Sequence, residues 1–339
     1  MNELLSWWGK AVGQSYALKL LDIHLRGASQ VMFQNNVLTG LLFILGIFWG
    51  TAAAENPGVA IGAIVGLVIA TLTAIILGSD DASLEQGLFG FNGILVGLAV
   101  PTFLVMGPAT WFLLVIGAAF STVAMLAISQ VTKLWGVPAL TFPFVLTTWF
   151  LVLAAYSFGH LSIGSMGPPA LPSPLARSDL GIDLSVGELL GACIRSISQV
   201  FLINNFGAGI IFIVALLVNS RWAAVFAVAG SVVSVIMGLV LGANPSSMSA
   251  GLYGFSPVLT AIALGCVFFE PSWRVALFAL LGTIVSVIIQ GALDAAIAPV
   301  GIPTFTAAFV FVTWLFLLPK LNLKPHGHGL VSDGIMTGK

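Results

Sequence analysis

The chain has 339 residues, of which 59% are hydrophobic and only 7% charged, with a formal charge of −1 and a mean hydropathy of +1.10. A soluble domain carries roughly 25% charged residues, so this composition is that of an integral membrane protein. The near-zero charge excludes a nucleic-acid surface, which needs a clustered basic face. Cys193 and Cys266 both lie beside apolar sequence and provide neither metal spacing nor a disulfide framework.

In chain order, residues 1–13 read as an interfacial start, with Trp7 and Trp8 beside Lys10 at headgroup level. No charged leader with an apolar core and a small-residue cleavage site is present, so no removable signal peptide is expected. Residues 14–36 are too polar to span alone and too apolar for a free loop. They are read as a re-entrant half-helix, tolerable only where surrounding protein satisfies its backbone. Apolar runs follow near 37–54, 59–78, 87–105, 109–131 and 138–159. Most reach the ~20 residues that cross ~30 Å of hydrocarbon.

Residues 161–187 are rich in Pro, Gly and Ser and read as an extended linker. The plan then repeats: a mixed segment near 188–205, then apolar runs near 206–219, 222–242, 251–269, 274–293 and 303–319. The expected organisation is therefore a first repeat at 1–160, the linker, a second repeat at 188–320, and a polar, disordered tail at 321–339. His326 and His328 in that tail are not read as a metal site.

The repeat is legible residue by residue. LRGASQVMFQNNVLTG at 25–40 is answered by IRSISQVFLINNFGAG at 194–209, with Gln30/Gln199, Val31/Val200, Asn35/Asn204 and Asn36/Asn205 each 169 positions apart. GLFGFNGILVG at 87–97 is answered by GLYGFSPVLTA at 251–261, pairing Phe91 with Phe255 and Leu95 with Leu259. PALTFPFVLTTW at 138–149 is answered by PTFTAAFVFVTW at 303–314, pairing Thr141 with Thr306 and Trp149 with Trp314. Five spans per repeat is an odd number, so the second copy enters from the opposite side. The fold class expected is an all-α integral membrane protein of two inverted-topology repeats, each with five transmembrane helices and one re-entrant half-helix, and a pore at the repeat interface.

Duplicated polar groups at membrane depth point to a pathway or site, although the Asn pairs fit interhelical hydrogen bonding equally well. The duplicated side chains include no acid, base or nucleophile. Glu188 and Asp294 are unmatched, their partner positions being Lys19 and Ser129. His24 fits either a pore mouth or a hydrogen-bonded structural role, the latter favoured, and His160 falls at the linker. Neither a phosphate loop nor a metal or nucleophile motif is present, so no enzyme and no cofactor is expected. Phe and Leu pairs repeated alongside Thr, Pro and Gly favour pore lining over simple packing. Apolar walls with a row of oxygens along one edge suit a small planar neutral solute rich in N–H donors, because the walls deny hydration to ions while the oxygens replace water.

The three duplicated motifs together resemble the urea transporter family, over about residues 25–319. The resemblance implies a homotrimer with one pore per protomer, passing urea passively down its gradient through a selectivity filter. Carried onto this sequence, it implies pore-mouth amides at Gln30 and Gln199, with Val31, Phe33, Val200 and Leu202 lining the slots. Phe91 and Phe255 would form slot faces, Thr141 and Thr306 would supply central hydroxyls, and Leu95 and Leu259 would oppose them. The second copy departs from the motif at Ala307-Ala308 and Ser256-Pro257, where the first has Phe142-Pro143 and Asn92-Gly93. The alternatives are a channel for another small polar solute (ammonia, a short amide or water) and a proton-coupled carrier using Glu188 or Asp294. The missing Asn-x-Ser/Thr acceptors fit a bacterial inner membrane.

Overall fold

The structure, a computed structural model, describes residues 2–173, 184–319 and 321–326, with side chains from residue 8 onward. Described residues fold into helices α1 (Asn2–Gln14), α2 (Tyr16–Gln30), α3 (Val37–Ala53), α4 (Pro57–Ile76), α5 (Asp81–Glu85), α6 (Gly90–Phe103), α7 (Pro108–Trp135) and α8 (Phe142–Ala154). The second half supplies α9 (Val186–Ser198), α10 (Phe206–Asn219), α11 (Arg221–Leu241), α12 (Pro245–Ser249), α13 (Phe255–Ile262), α14 (Trp273–Ile297) and α15 (Ala307–Leu317). Among the described residues the only extended pairings are isolated bridges, Leu104 with Ile163 and Phe269 with Pro325.

The helices begin where local chemistry dictates. Asn36 and Asn205 sit as N-caps, their Oδ1 atoms accepting from the N–H of Thr39 at 3.0 Å and of Ala208 at 2.9 Å. Pro57 and Pro108 occupy first-turn positions that need no donor. Asp80 and Asn244 cap the short helices α5 and α12 in the same way.

Apolar runs that read as spans do not all become long helices. Only α4, α7, α11 and α14 are long and apolar enough to cross a membrane singly, and α9 with α10 forms a pair bent by 74°. Helix α8, at 13 residues, is about 20 Å long at ~1.5 Å per residue. The remainder of its run, Val137–Thr141, is buried non-helical backbone, as is the corresponding stretch before α15. The non-helical stretches before α8 and α15 are thus tolerated because protein encloses them.

Glycines let the core helices touch. A Cβ on Gly66 would collide with the Gly93 carbonyl, and one on Gly97 with the Gly62 carbonyl. Two small-residue stripes, Gly62/Gly66 on α4 and Gly93/Gly97 on α6, thus bring backbones into direct contact. Large apolar side chains such as Trp49, Phe112, Leu217 and Leu277 remain exposed on outer faces, as a lipid-facing surface requires.

Described parts of the tail and of the linker pack against the helices. Residues 321–326 are ordered: Glu270 N–H donates to Lys324 O at 2.9 Å, His326 N–H to Phe268 O at 3.2 Å, and Lys324 pairs with Glu270 at 2.7 Å. The linker is likewise tied down, with Val105 N–H on Ser162 O and Gly164 N–H on Phe103 O. Positions 103 and 268 are repeat partners, so linker and tail brace matched places. His328 and the rest of the tail lie outside the described residues.

Candidate functional site

Two cavities hold almost all of the predicted residues, one set in each. The first, about 90 Å³, is lined by Gln30, Val31, Phe33, Phe91 and Thr141. The second, about 940 Å³, is lined by Gln199, Val200, Leu202, Phe255 and Thr306. Every first-cavity residue in that list has its repeat partner in the second.

Each glutamine stands at a helix end and is anchored the same way. Gln30 Nε2 donates to Gln86 O at 2.8 Å, and Gln199 Nε2 donates to Ala250 O at 2.9 Å. The amide nitrogen is thus occupied, which leaves the amide oxygen as a free acceptor. Gln30 Oε1 is buried without a protein partner, an arrangement that costs about 1–3 kcal/mol unless a ligand or water completes it. Beyond each glutamine the backbone turns sharply through a left-handed residue, Phe33 (φ 61°) and Leu202 (φ 56°). Such conformations in bulky residues cost of order 1–3 kcal/mol and gather at functional sites.

A second pair of left-handed residues, Leu140 (φ 54°) and Phe305 (φ 48°), precedes the threonines. Thr141 and Thr306 are the N-caps of α8 and α15, with nearly identical backbones (φ −91°, ψ 11° and φ −88°, ψ 22°), and neither side chain caps its own helix. Their hydroxyl oxygens instead meet at 2.6 Å, so a residue lining the first cavity touches one lining the second. The indoles of the same motifs cross over: Trp149 Nε1 donates to Pro303 O at 2.9 Å, and Trp314 Nε1 to Pro138 O at 2.7 Å. Each half therefore clamps the loop that carries the other half's threonine.

Leu95 and Leu259 are placed differently from the expectation. Both are fully buried and line neither cavity. Apolar walls come instead from residues that the motifs did not single out, and they are contributed across the halves. Phe268 and Phe309 line the first cavity, and Phe103 and Phe144 line the second. These too are repeat partners, 165 positions apart, so extending the same offset would have found them. Phe33 meets Phe268 and Phe309 edge-on at 6.1 and 5.8 Å, while Phe305 meets Phe103 and Phe144 edge-on at 5.6 and 5.1 Å.

Other candidates resolve into structure. Arg26 pairs with Asp22 at 2.6 Å and with Asn35 Oδ1 at 2.7 Å, holding the end of α2. His24 Nδ1 lies 2.6 Å from Leu20 O, and the ring lines neither cavity. Glu188 closes a capping box with Ser185 at the start of α9 and is exposed. Asp294 does line the second cavity, as do Ser165 and Gly167 of the linker. Among the described residues no group of three or more His, Cys, Asp or Glu side chains could hold a metal.

A family model described as urea transporter matches residues 21–321. Urea transporter 1 of Ovis aries is 32% identical over 327 residues, spanning 94% of this chain and 81% of the relative. Urea transporter 1 of Rattus norvegicus is 30% identical over 321 residues, with the same coverage. These relatives are mammalian and lend no support to a bacterial inner membrane as this chain's location.

Proposed function

The chain belongs to the urea transporter family and carries urea across a membrane; we propose that it does so passively, through a single path formed by the two cavities in series. The observation that carries this reading is the 2.6 Å contact of Thr141 with Thr306, the point where two matched half-sites abut.

Urea presents four N–H donors and one carbonyl on a flat frame, so losing its water means replacing several hydrogen bonds. Along the proposed path Gln30 Oε1 receives the solute, the threonine oxygens take over its N–H donors, and Gln199 Oε1 releases it on the other side. One threonine proton is held in the Thr141–Thr306 bond, and the other is left to serve the urea carbonyl. Phe33, Phe91 and Phe255, with the aromatic residues contributed across the halves, confine the flat solute to a slot.

Charge is refused for two reasons. Apolar walls offer an ion nothing in exchange for its hydration shell. Furthermore, α8 and α15 both start at the threonine pair, so two helix N-termini direct positive partial charge toward it. That field disfavours ammonium and protons while leaving a neutral amide untouched.

The halves are read as inverted repeats about a two-fold axis in the membrane plane. Support comes from the reciprocal indole bonds, Trp149 to Pro303 and Trp314 to Pro138, since contacts exchanged between equivalent residues are the signature of two-fold symmetry. Every lining residue comes from one chain, so a homotrimer would carry one pore per protomer.

Filling either cavity tests the series arrangement. Val31→Trp and Val200→Trp should each abolish urea flux in proteoliposomes while the protein stays monodisperse. Normal flux through either folded variant would show that its cavity is off the path.

A further inference from the structure

The two cavities differ in polarity at matched positions. Asn92, Met125, Ser129 and Ala139 of the first half stand where Ser256, Gln290, Asp294 and Thr304 stand in the second. On the first side the amide and hydroxyl turn to sulfur: Asn92 Nδ2 lies 3.6 Å and Ser129 Oγ 3.8 Å from Met125 Sδ. On the second side the same places carry a hydrogen-bonded chain. Ser256 Oγ donates to Gln290 Oε1 at 3.0 Å, and Gln290 Nε2 donates to Thr304 Oγ1 at 2.5 Å and to Asp294 Oδ1 at 3.1 Å. Gln290 and Ser256 are buried, so the chain fixes the carboxylate from behind while Asp294 itself is exposed to the cavity.

Among the described residues that carboxylate is uncompensated. No Lys or Arg lines the cavity, and Asp294 has no ion pair among the described residues. It also stands in the last turn of α14, where the helix dipole is itself negative. A metal ion is a poor occupant, since hard cations require several oxygen ligands. An N–H-rich planar cation is a good one: its fork of donors matches a carboxylate, Tyr253 on the same wall offers an aromatic face, and its trigonal frame has the outline of urea.

Building on the urea path proposed above, we infer that the second cavity binds guanidinium and amidinium cations at Asp294, from its own side only, and that these cations block urea entry there. They stop in the cavity because the aromatic throat and the two helix N-termini refuse a charge. The first cavity, with Ser129 at the matched position, has no such site.

Stopped-flow urea flux into proteoliposomes is the test, with guanidinium chloride as the probe and tetramethylammonium chloride as a cation lacking N–H donors. Each variant is normalised to its own flux without cation. Guanidinium should slow the native protein, tetramethylammonium should not, and Asp294→Asn should need about tenfold more guanidinium for the same slowing. Ser129→Asp should create a second block that acts from the opposite face. Equal slowing of native protein and Asp294→Asn, or no slowing of the native protein, would overturn the inference. Absent urea flux in the untreated native protein would instead defeat the pore reading. Guanidinium titration calorimetry on the purified protein then decides the site alone, binding lost in Asp294→Asn supporting it and binding retained overturning it.

Discussion

Thr141 Oγ1 and Thr306 Oγ1 lie 2.6 Å apart although 165 positions separate them in the chain. Their helices, α8 and α15, begin at these residues with matching dihedral angles. A direct contact between equivalent residues of the two halves is thus also the place where, on the proposed path, each would hand a solute to the other.

Replacing either hydroxyl by a methyl group keeps the shape and removes one donor and one acceptor. Losing a hydrogen bond to a passing solute costs about 1–3 kcal/mol, so Thr141→Val and Thr306→Val should each lower urea flux by roughly one order of magnitude. The hydroxyls bond to one another, so the double variant should fall short of the product of the single effects. Stopped-flow rates on reconstituted protein give all three numbers, and full additivity would argue against a shared site.

The glutamines should act as entry groups. Gln30→Leu removes the buried Oε1 that lacks a partner and the anchor to Gln86 O, and Gln199→Leu removes the amide anchored to Ala250 O at the other mouth. Both variants should weaken urea affinity, seen as a higher half-saturation concentration, with Gln30→Leu the more affected because its cavity is the tighter.

Crossed indoles predict a stability effect that reaches the pore. Trp149→Phe and Trp314→Phe each leave a proline carbonyl without its donor, a loss of about 0.5–1.5 kcal/mol per bond. Thermal unfolding in detergent should shift down for both. The loops carrying Thr306 and Thr141 should loosen, so discrimination between urea and N-methylurea should weaken in the same variants.

Leu95 separates packing from lining. It is fully buried and lines neither cavity, so Leu95→Ala should destabilise the fold by about 2–5 kcal/mol. A thermal shift without a gain in flux is the expected result. Faster flux at native stability would restore it to the constriction.

Much of this site is readable in the sequence because the chain states it twice. Gln30/Gln199, Phe91/Phe255 and Thr141/Thr306 recur at nearly constant offsets, and repetition at depth separates a site from ordinary apolar packing. Other features were less legible. The leucines of the second motif share its period with the pore residues, and periodicity does not say which face of a helix meets a cavity. Conversely, Phe144 and Phe309 were not singled out by the motifs, although each lines the other half's cavity. The duplicated asparagines fitted a site and structural bonding equally well, and Asn36 and Asn205 serve as helix caps. Helix length was misread for a physical reason: a run such as 138–159 is largely apolar, but its first residues are non-helical backbone enclosed by the protein.

Urea flux into proteoliposomes with and without an imposed proton gradient addresses the central claim most directly. A passive path predicts the same fast rate in both conditions, rising linearly with the urea gradient until high concentration. A rate that follows the proton gradient would contradict it and make Asp294, a carboxylate that lines a cavity, the group to examine for coupling.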